Sequence, residues 1–217
     1  MEAKELIARR VAQELQEGFI VNLGIGLPTM IPSYLSPDIH ITLQSENGFL
    51  GLGPLQGDPE FGVVNAGGKP CGLIPGAAMF DSAMSFALIR GGHIDLTVLG
   101  GLQVDCHGNL ANWMVPGKMV PGMGGAMDLV TGAKRVIVAM EHCTKEGESR
   151  LLEHCTLPLT ARGKVSMVVT DLAVFERLNG VFTLVELAPG LSLEEVTAKT
   201  SAPFTVSPSL KMMEGIQ

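Results

Sequence analysis

Apolar positions recur every four residues from Lys4 to Gln16, where Ile7, Val11 and Leu15 share one face. This spacing predicts a surface helix that Gly18 ends. Phe19-Ile20-Val21-Asn22-Leu23 reads as a short buried strand, closed by Gly24-Ile25-Gly26. Pro28 suits the first turn of a helix running through Met30, Ile31 and Leu35. A second strand is predicted from His40 to Leu43, followed by Gln44-Ser45-Glu46 and the turn signal Asn47-Gly48. Glycine and proline crowd Leu50 to Gly76, which predicts long ordered loops. Helix returns at Ala78 to Ile89, then a strand at His93 to Leu99 with the loop Gly100-Gly101. After a glycine- and proline-rich loop, Pro116 to Gly125, Ala126 to Val130 begins another helix. The β-branched run Arg135 to Met140 predicts a buried strand, and further strands are expected at Lys164 to Val169, Leu172 to Phe175 and Val181 to Glu186. Ser192 is a good N-cap, with Glu194 and Glu195 in the first turn of a helix ending at Lys199. Strands alternating with helices and glycine loops predict an α/β sheet covered on both faces. With no repeat, linker or charge block, residues 1–217 read as one domain.

Composition narrows the function classes. Of 217 residues 46% are apolar and 17% charged, as expected of a packed globule. Fifteen basic and twenty-two acidic residues give a net charge of −7, with the longest basic run only Arg9-Arg10 and few aromatics. A nucleic-acid footprint needs clustered cations and stacking platforms, so nucleic acid is not an expected partner. The apolar stretches are too short to span a bilayer, which needs about 20 such residues. The charged N-terminus lacks a signal-peptide core. Four cysteines without a dense framework suit a reducing compartment. A soluble cytoplasmic protein without membrane contact is expected.

Ligands in open α/β sheets bind beyond the carboxyl ends of the strands. Three glycine-rich segments should lie there, beginning at Asn22, Glu46 and Gly122. Gly24-x-Gly26 lacks the third glycine of a dinucleotide fingerprint, since Thr29 holds that place, and no P-loop is present. Glu46, closing a strand before an Asn-Gly turn, is either a solvated loop residue or a carboxylate nucleophile or base. Gly124-Gly125-Ala126, ahead of a helix, either packs closely or presents N–H groups to an oxyanion. The tripeptides Glu141-His142-Cys143 and Glu153-His154-Cys155 offer ligands superficially. Their spacing is not that of familiar zinc sites, so no metal is expected. Met114, Met119, Met123 and Met127 read as adaptable packing.

Leu43-Gln44-Ser45-Glu46-Asn47-Gly48-Phe49-Leu50-Gly51 resembles the active-site signature of the beta (B-type) subunits of 3-oxoacid and acetate CoA-transferases. Val21 to Gly26, Ser85 to Asp95, Leu110 to Val120 and Gly122 to Val130 are similar to that family in the same order. The resemblance implies a three-layer α/β fold with an open sheet of the CoA-transferase kind. It also implies ping-pong transfer of CoA between short-chain carboxylic or 3-oxo acids, through a glutamyl-CoA thioester on Glu46. It places Gly125 and Ala126 at the thioester oxyanion, and Asn22 and Asn47 along the CoA or acyl site. CoA and acyl-CoA are then substrates, and no cofactor is implied. Where several 3-oxoacid enzymes read Asn-Ala-Gly-Lys, this chain has Asn65-Ala66-Gly67-Gly68-Lys69, so Lys69 is either displaced or lost as a contact. The Gly-Gly-Phe signature of the A-type (alpha) subunit is absent, which implies a partner, as a heterotetramer of two A-type and two B-type chains, with homo-oligomers possible when the chain is isolated. An acyl-CoA hydrolase on the same site and a non-catalytic CoA- or metabolite-binding module are the alternatives, with a nucleotide-dependent oxidoreductase last.

Overall fold

A computed structural model describes residues 1–55, 62–117 and 122–216. Lys118, Met119 and Val120, part of one matched segment, lie outside the described residues. The chain opens with α1 (Ala3–Ala12) and β1 (Ile20–Leu23), then a 3₁₀ helix (Leu27–Tyr34), β2 (Thr42–Ser45), β3 (Phe49–Gly53), β4 (Gly72–Met79), α2 (Ser82–Arg90) and β5 (Leu96–Leu99). β6 (Gln103–Asp105), β7 (Leu110–Ala111), α3 (Ala126–Gly132), β8 (Arg135–Ala139) and β9 (Leu151–Leu152) follow. β10 (Met167–Val169), β11 (Ala173–Leu178), β12 (Val181–Leu187), α4 (Leu193–Lys199) and β13 (Thr205–Met212) complete it.

Several elements depart from the sequence pattern for identifiable reasons. α1 stops at Ala12, because a turn folds Leu15 back into the core and Gly18, at φ 78°, leads into β1. The helix expected after Pro28 is 3₁₀, since Pro32 inside it has no N–H for an α-helical ladder. The segment read as loops, Leu50 to Gly76, instead contributes β3 and much of β4. Their pairing shifts register between Leu50 and Leu52, around Gly51 at φ 95°. Ala78 and Met79 finish β4, so α2 begins later, capped by the Asp81 carboxylate, which accepts from Met84 N–H at 2.8 Å. The short strands β6, β7 and β9 and the edge strand β13 carry no sequence signal strong enough to predict. Ser192 caps α4 as expected, in a reciprocal box with Glu195.

Among the described residues ten strands form one sheet, in the order β13-β12-β11-β10-β8-β5-β1-β2-β3-β4. The central strands β10, β8, β5, β1 and β2 run parallel, and antiparallel pairs extend the sheet at both sides. Ile7, Val11 and Ile31 bring α1 and the 3₁₀ helix onto one face, packing on Val21, Leu96, Val98 and Ile137. Ile89, Leu129, Val130 and Val196 bring α2, α3 and α4 onto the other, where β6, β7 and β9 form a second small sheet. The fold is therefore a three-layer α/β arrangement, and burial on both faces explains the continuous apolar run of β8, Val136 to Ala139. Arg10 fastens α1 to the far side of the sheet through a buried pair with Glu186 at 2.6 Å.

β1 lies between β2 and β5, so the chain leaves it in one direction to β2 and later returns on its other side. That reversal makes a crevice at the carboxyl ends of β1 and β5, where an open α/β sheet can admit a ligand. Gly24 sits in it, its N–H donating to Val98 O at 2.8 Å, and a side chain there would meet the backbone of Val98 and Leu99 within 3.3 Å.

Candidate active site

Glu46 stands on the three-residue turn Glu46-Asn47-Gly48 between β2 and β3, beside this crevice. Gly48 makes the turn possible. It adopts φ 118°, and a Cβ there would lie 2.1 Å from Phe80 O, so the turn is pressed against the β4–α2 junction. A carboxylate on such a turn has little freedom of backbone movement.

Two groups from distant parts of the chain meet it. From β1, Asn22 donates Nδ2–H to Glu46 Oε2 at 3.2 Å. From the start of α3, Gly125 lies against the carboxylate: a Cβ on it would sit 3.3 Å from both Cγ and Oε1 of Glu46. Gly125 is the residue before the first turn of α3, at φ −83° and ψ 1°, and its N–H has no hydrogen-bond acceptor among the described residues. The Ala126 N–H differs. It donates to Met123 O at 3.0 Å and so is already engaged within the turn that opens α3.

Asn47 is exposed and acts on a neighbouring loop. Its Nδ2–H donates to Val64 O at 2.8 Å, while its Oδ1 accepts from the Ser45 hydroxyl at 2.7 Å. Ser45 Oγ in turn accepts from Ala66 N–H at 3.1 Å. These bonds hold the segment from Val64 to Pro70 over the crevice. The Asn65 side chain folds its tip by accepting from the amides of Gly67 and Lys69, and the additional Gly68 takes φ 74°. Lys69 is among the residues lining the cavity despite the extra residue, and it is exposed. That cavity measures ≈ 250 Å³ and is bounded by the Leu23–Gly26 loop, Gln44 to Glu46 and Asn65 to Gly67. A larger groove of ≈ 650 Å³ beside α4, holding Arg150 and Lys199, contains none of these residues.

Sequence inspection missed Gln44 and Ser85 as site residues, although both lie in the quoted segments. Gln44 is paired with Asn22 in the β1–β2 register, and the Ser85 hydroxyl reaches down from α2 to Gln44 Nε2 at 2.8 Å. Only strand pairing and helix docking reveal them.

The histidine–cysteine pairs serve elsewhere. His142 is buried, its ring nitrogens each 3.0 Å from a threonine hydroxyl, Thr170 and Thr200. Burial pushes the ring pKa down to about 4. Burial, then the neighbouring Asp105 carboxylate, pushes the Cys155 thiol up to about 12, and the other three thiols are also raised by burial. A thiol held protonated is a poor nucleophile or ligand. Among the described residues no cluster of His, Cys, Asp or Glu has metal-site geometry, and no helix is long and apolar enough to cross a membrane.

The chain matches the Coenzyme A transferase family over residues 4–199. It is 66% identical over 216 residues to the beta subunit of the acetate CoA-transferase of Escherichia coli K12, covering 99% of each chain. It is 53% identical to the B-type subunit of a probable succinyl-CoA:3-ketoacid coenzyme A transferase of Bacillus subtilis, covering 96% of this chain and 98% of that one. An acyl-CoA transferase apoenzyme from Escherichia coli O157:H7 shares the fold, with a TM-score of 0.79 and 23% identity over 98% of this chain. This chain spans only 43% of the length of that structure's chain. On sequence, on fold and on the placement of the matched segments, the chain belongs to the coenzyme A transferase family of enzymes.

Proposed function

We propose that this chain is the catalytic beta (B-type) subunit of a CoA-transferase that moves CoA between short-chain carboxylic or 3-oxo acids, with Glu46 as the nucleophile. The observation that carries this reading is the setting of Glu46. Its carboxylate sits on a braced turn at the mouth of a small cavity, with an N–H from Asn22 on one oxygen and the backbone of Gly125 against it.

The reaction that the family resemblance implies runs in two symmetrical halves, and the geometry suits it. Glu46 attacks the thioester carbonyl of an acyl-CoA, the tetrahedral oxyanion collapses, and CoA leaves as a thiolate from an acyl-glutamyl anhydride. The thiolate then attacks the glutamyl carbonyl of the anhydride, releasing the first acid and leaving a glutamyl-CoA thioester. An incoming carboxylate reverses the sequence, receives CoA and restores Glu46. Splitting the transfer through a covalent carboxylate avoids a three-body encounter. The Gly125 N–H is the donor available to the oxyanion, a role in which one hydrogen bond is worth about 3–4 kcal/mol of barrier. The anhydride survives only where water is excluded, which a narrow cavity roofed by the Val64–Pro70 segment favours.

Relatives named for acetate and for succinyl-CoA with 3-ketoacids favour a small acyl group, and so does a cavity below the usual range of about 300–1,000 Å³ for ligand pockets. Their designation as beta or B-type subunits, and the missing A-type signature, support assembly with an A-type chain. The assembly proposed is a cytoplasmic heterotetramer of two A-type and two B-type chains. CoA and acyl-CoA are substrates, and no cofactor takes part.

The test is Glu46→Gln in the assembled complex. The amide keeps the shape and removes the anion, so transfer should be abolished with an unchanged melting temperature. Mass spectrometry of the wild-type complex after exposure to acyl-CoA should find CoA attached to the peptide carrying Glu46. Activity within about tenfold of wild type in the variant would remove Glu46 from this role. Labelled-acid exchange separates a transferase from a hydrolase, because only the former moves CoA onto an added carboxylate.

A further inference from the structure

Thr97 on β5, Asn22 on β1 and Gln44 on β2 are register partners and form one polar row across three central strands. The row faces α2, is buried at 0%, 1% and 4% exposure, and is closed from above by Ser85, also at 0%. Polar groups in the middle of an otherwise apolar face are costly unless their hydrogen bonds are made. Here most are, and in one direction.

Both ends of the chain of bonds have fixed polarity. At one end the Ser85 hydroxyl donates to Ser45 O at 3.2 Å, a carbonyl that can only accept. Ser85 Oγ therefore accepts from Gln44 Nε2–H at 2.8 Å, which turns the Gln44 carbonyl toward Asn22. At the other end Asn22 Nδ2 lies 2.7 Å from Gln44 Oε1, 3.3 Å from Gln44 O and 3.2 Å from Glu46 Oε2. The last two are unambiguous acceptors when Glu46 is ionised, so Asn22 must present its amide nitrogen. The orientation leaves Asn22 Oδ1 buried without a partner among the described residues, and the hydroxyl oxygen of Thr97 is likewise unpartnered.

We propose that Ser85 and Gln44 are positioning residues that lock the Asn22 amide with an N–H, never the carbonyl, against the Glu46 carboxylate. The lock fixes the Glu46 rotamer before substrate arrives. For catalysis the inference rests on Glu46 being the nucleophile, as proposed above. The orientation itself does not.

The variants are Gln44→Met, which keeps length without hydrogen bonding, Ser85→Ala, and the pair together, each in the complex with the A-type partner. Steady-state kinetics are combined with infrared difference spectra against Glu46→Gln, which isolate the carboxylate stretch of Glu46. Losing the lock lets the Asn22 amide turn, so that stretch should move from its wild-type position as the hydrogen bond from Asn22 is lost. kcat should fall by about 10- to 100-fold, with KM changed far less. Because the two residues act in series, Ser85→Ala should add less than about twofold in the Gln44→Met background. Melting temperature and the near-UV signal of Trp113 check folding, and Ser85→Ala, the smaller change, carries the test if Gln44→Met fails to assemble. A wild-type Glu46 carboxylate stretch in Ser85→Ala would overturn the lock, as would fully additive losses. A displaced stretch in an enzyme whose activity survives Glu46→Gln would keep the lock and discard the nucleophile.

Discussion

Substituting Gly125 with alanine separates catalysis from stability by sign. The backbone at φ −83° and ψ 1° accepts alanine without strain. Removing a glycine from the unfolded chain should then stabilise the protein by about 0.4–1 kcal/mol. Catalysis moves the other way. The new methyl would lie 3.3 Å from Glu46 Cγ and Oε1 and 3.4 Å from Cδ, whereas such contacts are best at about 3.5–4.0 Å. Glu46 must yield by a few tenths of an ångström, and its bond to Asn22 already spans 3.2 Å. Misplacing a reacting group by about 1 Å can cost about 100-fold, so the partial shift here should lower kcat by about 10- to 100-fold, or about 1.4–2.7 kcal/mol of barrier. The assay is kcat and KM for CoA transfer to a short-chain acid in the assembled complex, alongside a melting curve. The expected result is a much slower enzyme that melts at or slightly above the wild-type temperature. A kcat within about twofold of wild type would refute the close approach of Gly125 to the working carboxylate. A large drop in melting temperature would refute the claim that the site, and not the fold, bears the cost.

Gly125→Pro fits a φ near proline's own but deletes the N–H, and should cost about 100- to 1,000-fold in kcat; equality with the alanine variant would remove that amide as an oxyanion donor. Gly48→Ala meets a backbone oxygen at 2.1 Å and a φ of 118°, so it should destabilise by about 2–4 kcal/mol, read as a melting temperature lower by several degrees. His142, pushed by burial from an ordinary 6.5 to about 4, stays neutral in the fold while the unfolded chain takes up a proton. Stability should therefore fall by up to about 3 kcal/mol as pH drops from about 6.5 to about 4, above the range where the hydrogen-bonded carboxylates protonate, and His142→Gln should flatten that part of the denaturation profile. The isolated chain should be inactive in acyl exchange and self-associate in light scattering, because binding energy from the rest of CoA is then missing; a fully active monomer would defeat the two-subunit proposal.

Element identity was legible wherever the local pattern was strong. The run in β8, the capping residues of α4 and the helix start at Ala126 follow from neighbouring residues alone. The glycine-rich stretch after Leu50 was not, because β3 and β4 owe their extended shape to each other. Gly51 and Gly53 lie where a side chain would come within 2.8 Å of β4 atoms, so residues that resemble loop in isolation are strand under pairing. Boundaries moved for similar reasons: α1 ended early because Leu15 had a core to join.

At the site, the sequence by itself marked the candidate carboxylate and the segment that approaches it, since Glu46 before Asn-Gly and the glycines before Ala126 are marked by composition and by family likeness. It also placed Glu46 at the end of a strand and the glycines ahead of a helix. Which groups touch the carboxylate was decided only by tertiary structure. Asn22 and Gln44 become neighbours through the β1–β2 register, Ser85 joins them when α2 docks, and Gly125 approaches only after α3 packs on the same face. The Ala126 amide, equivalent to that of Gly125 in sequence, is taken by Met123 O. A chain encodes residue types locally, but the direction of a hydrogen bond between residues 22, 44 and 85 exists only once strands and helix are in contact.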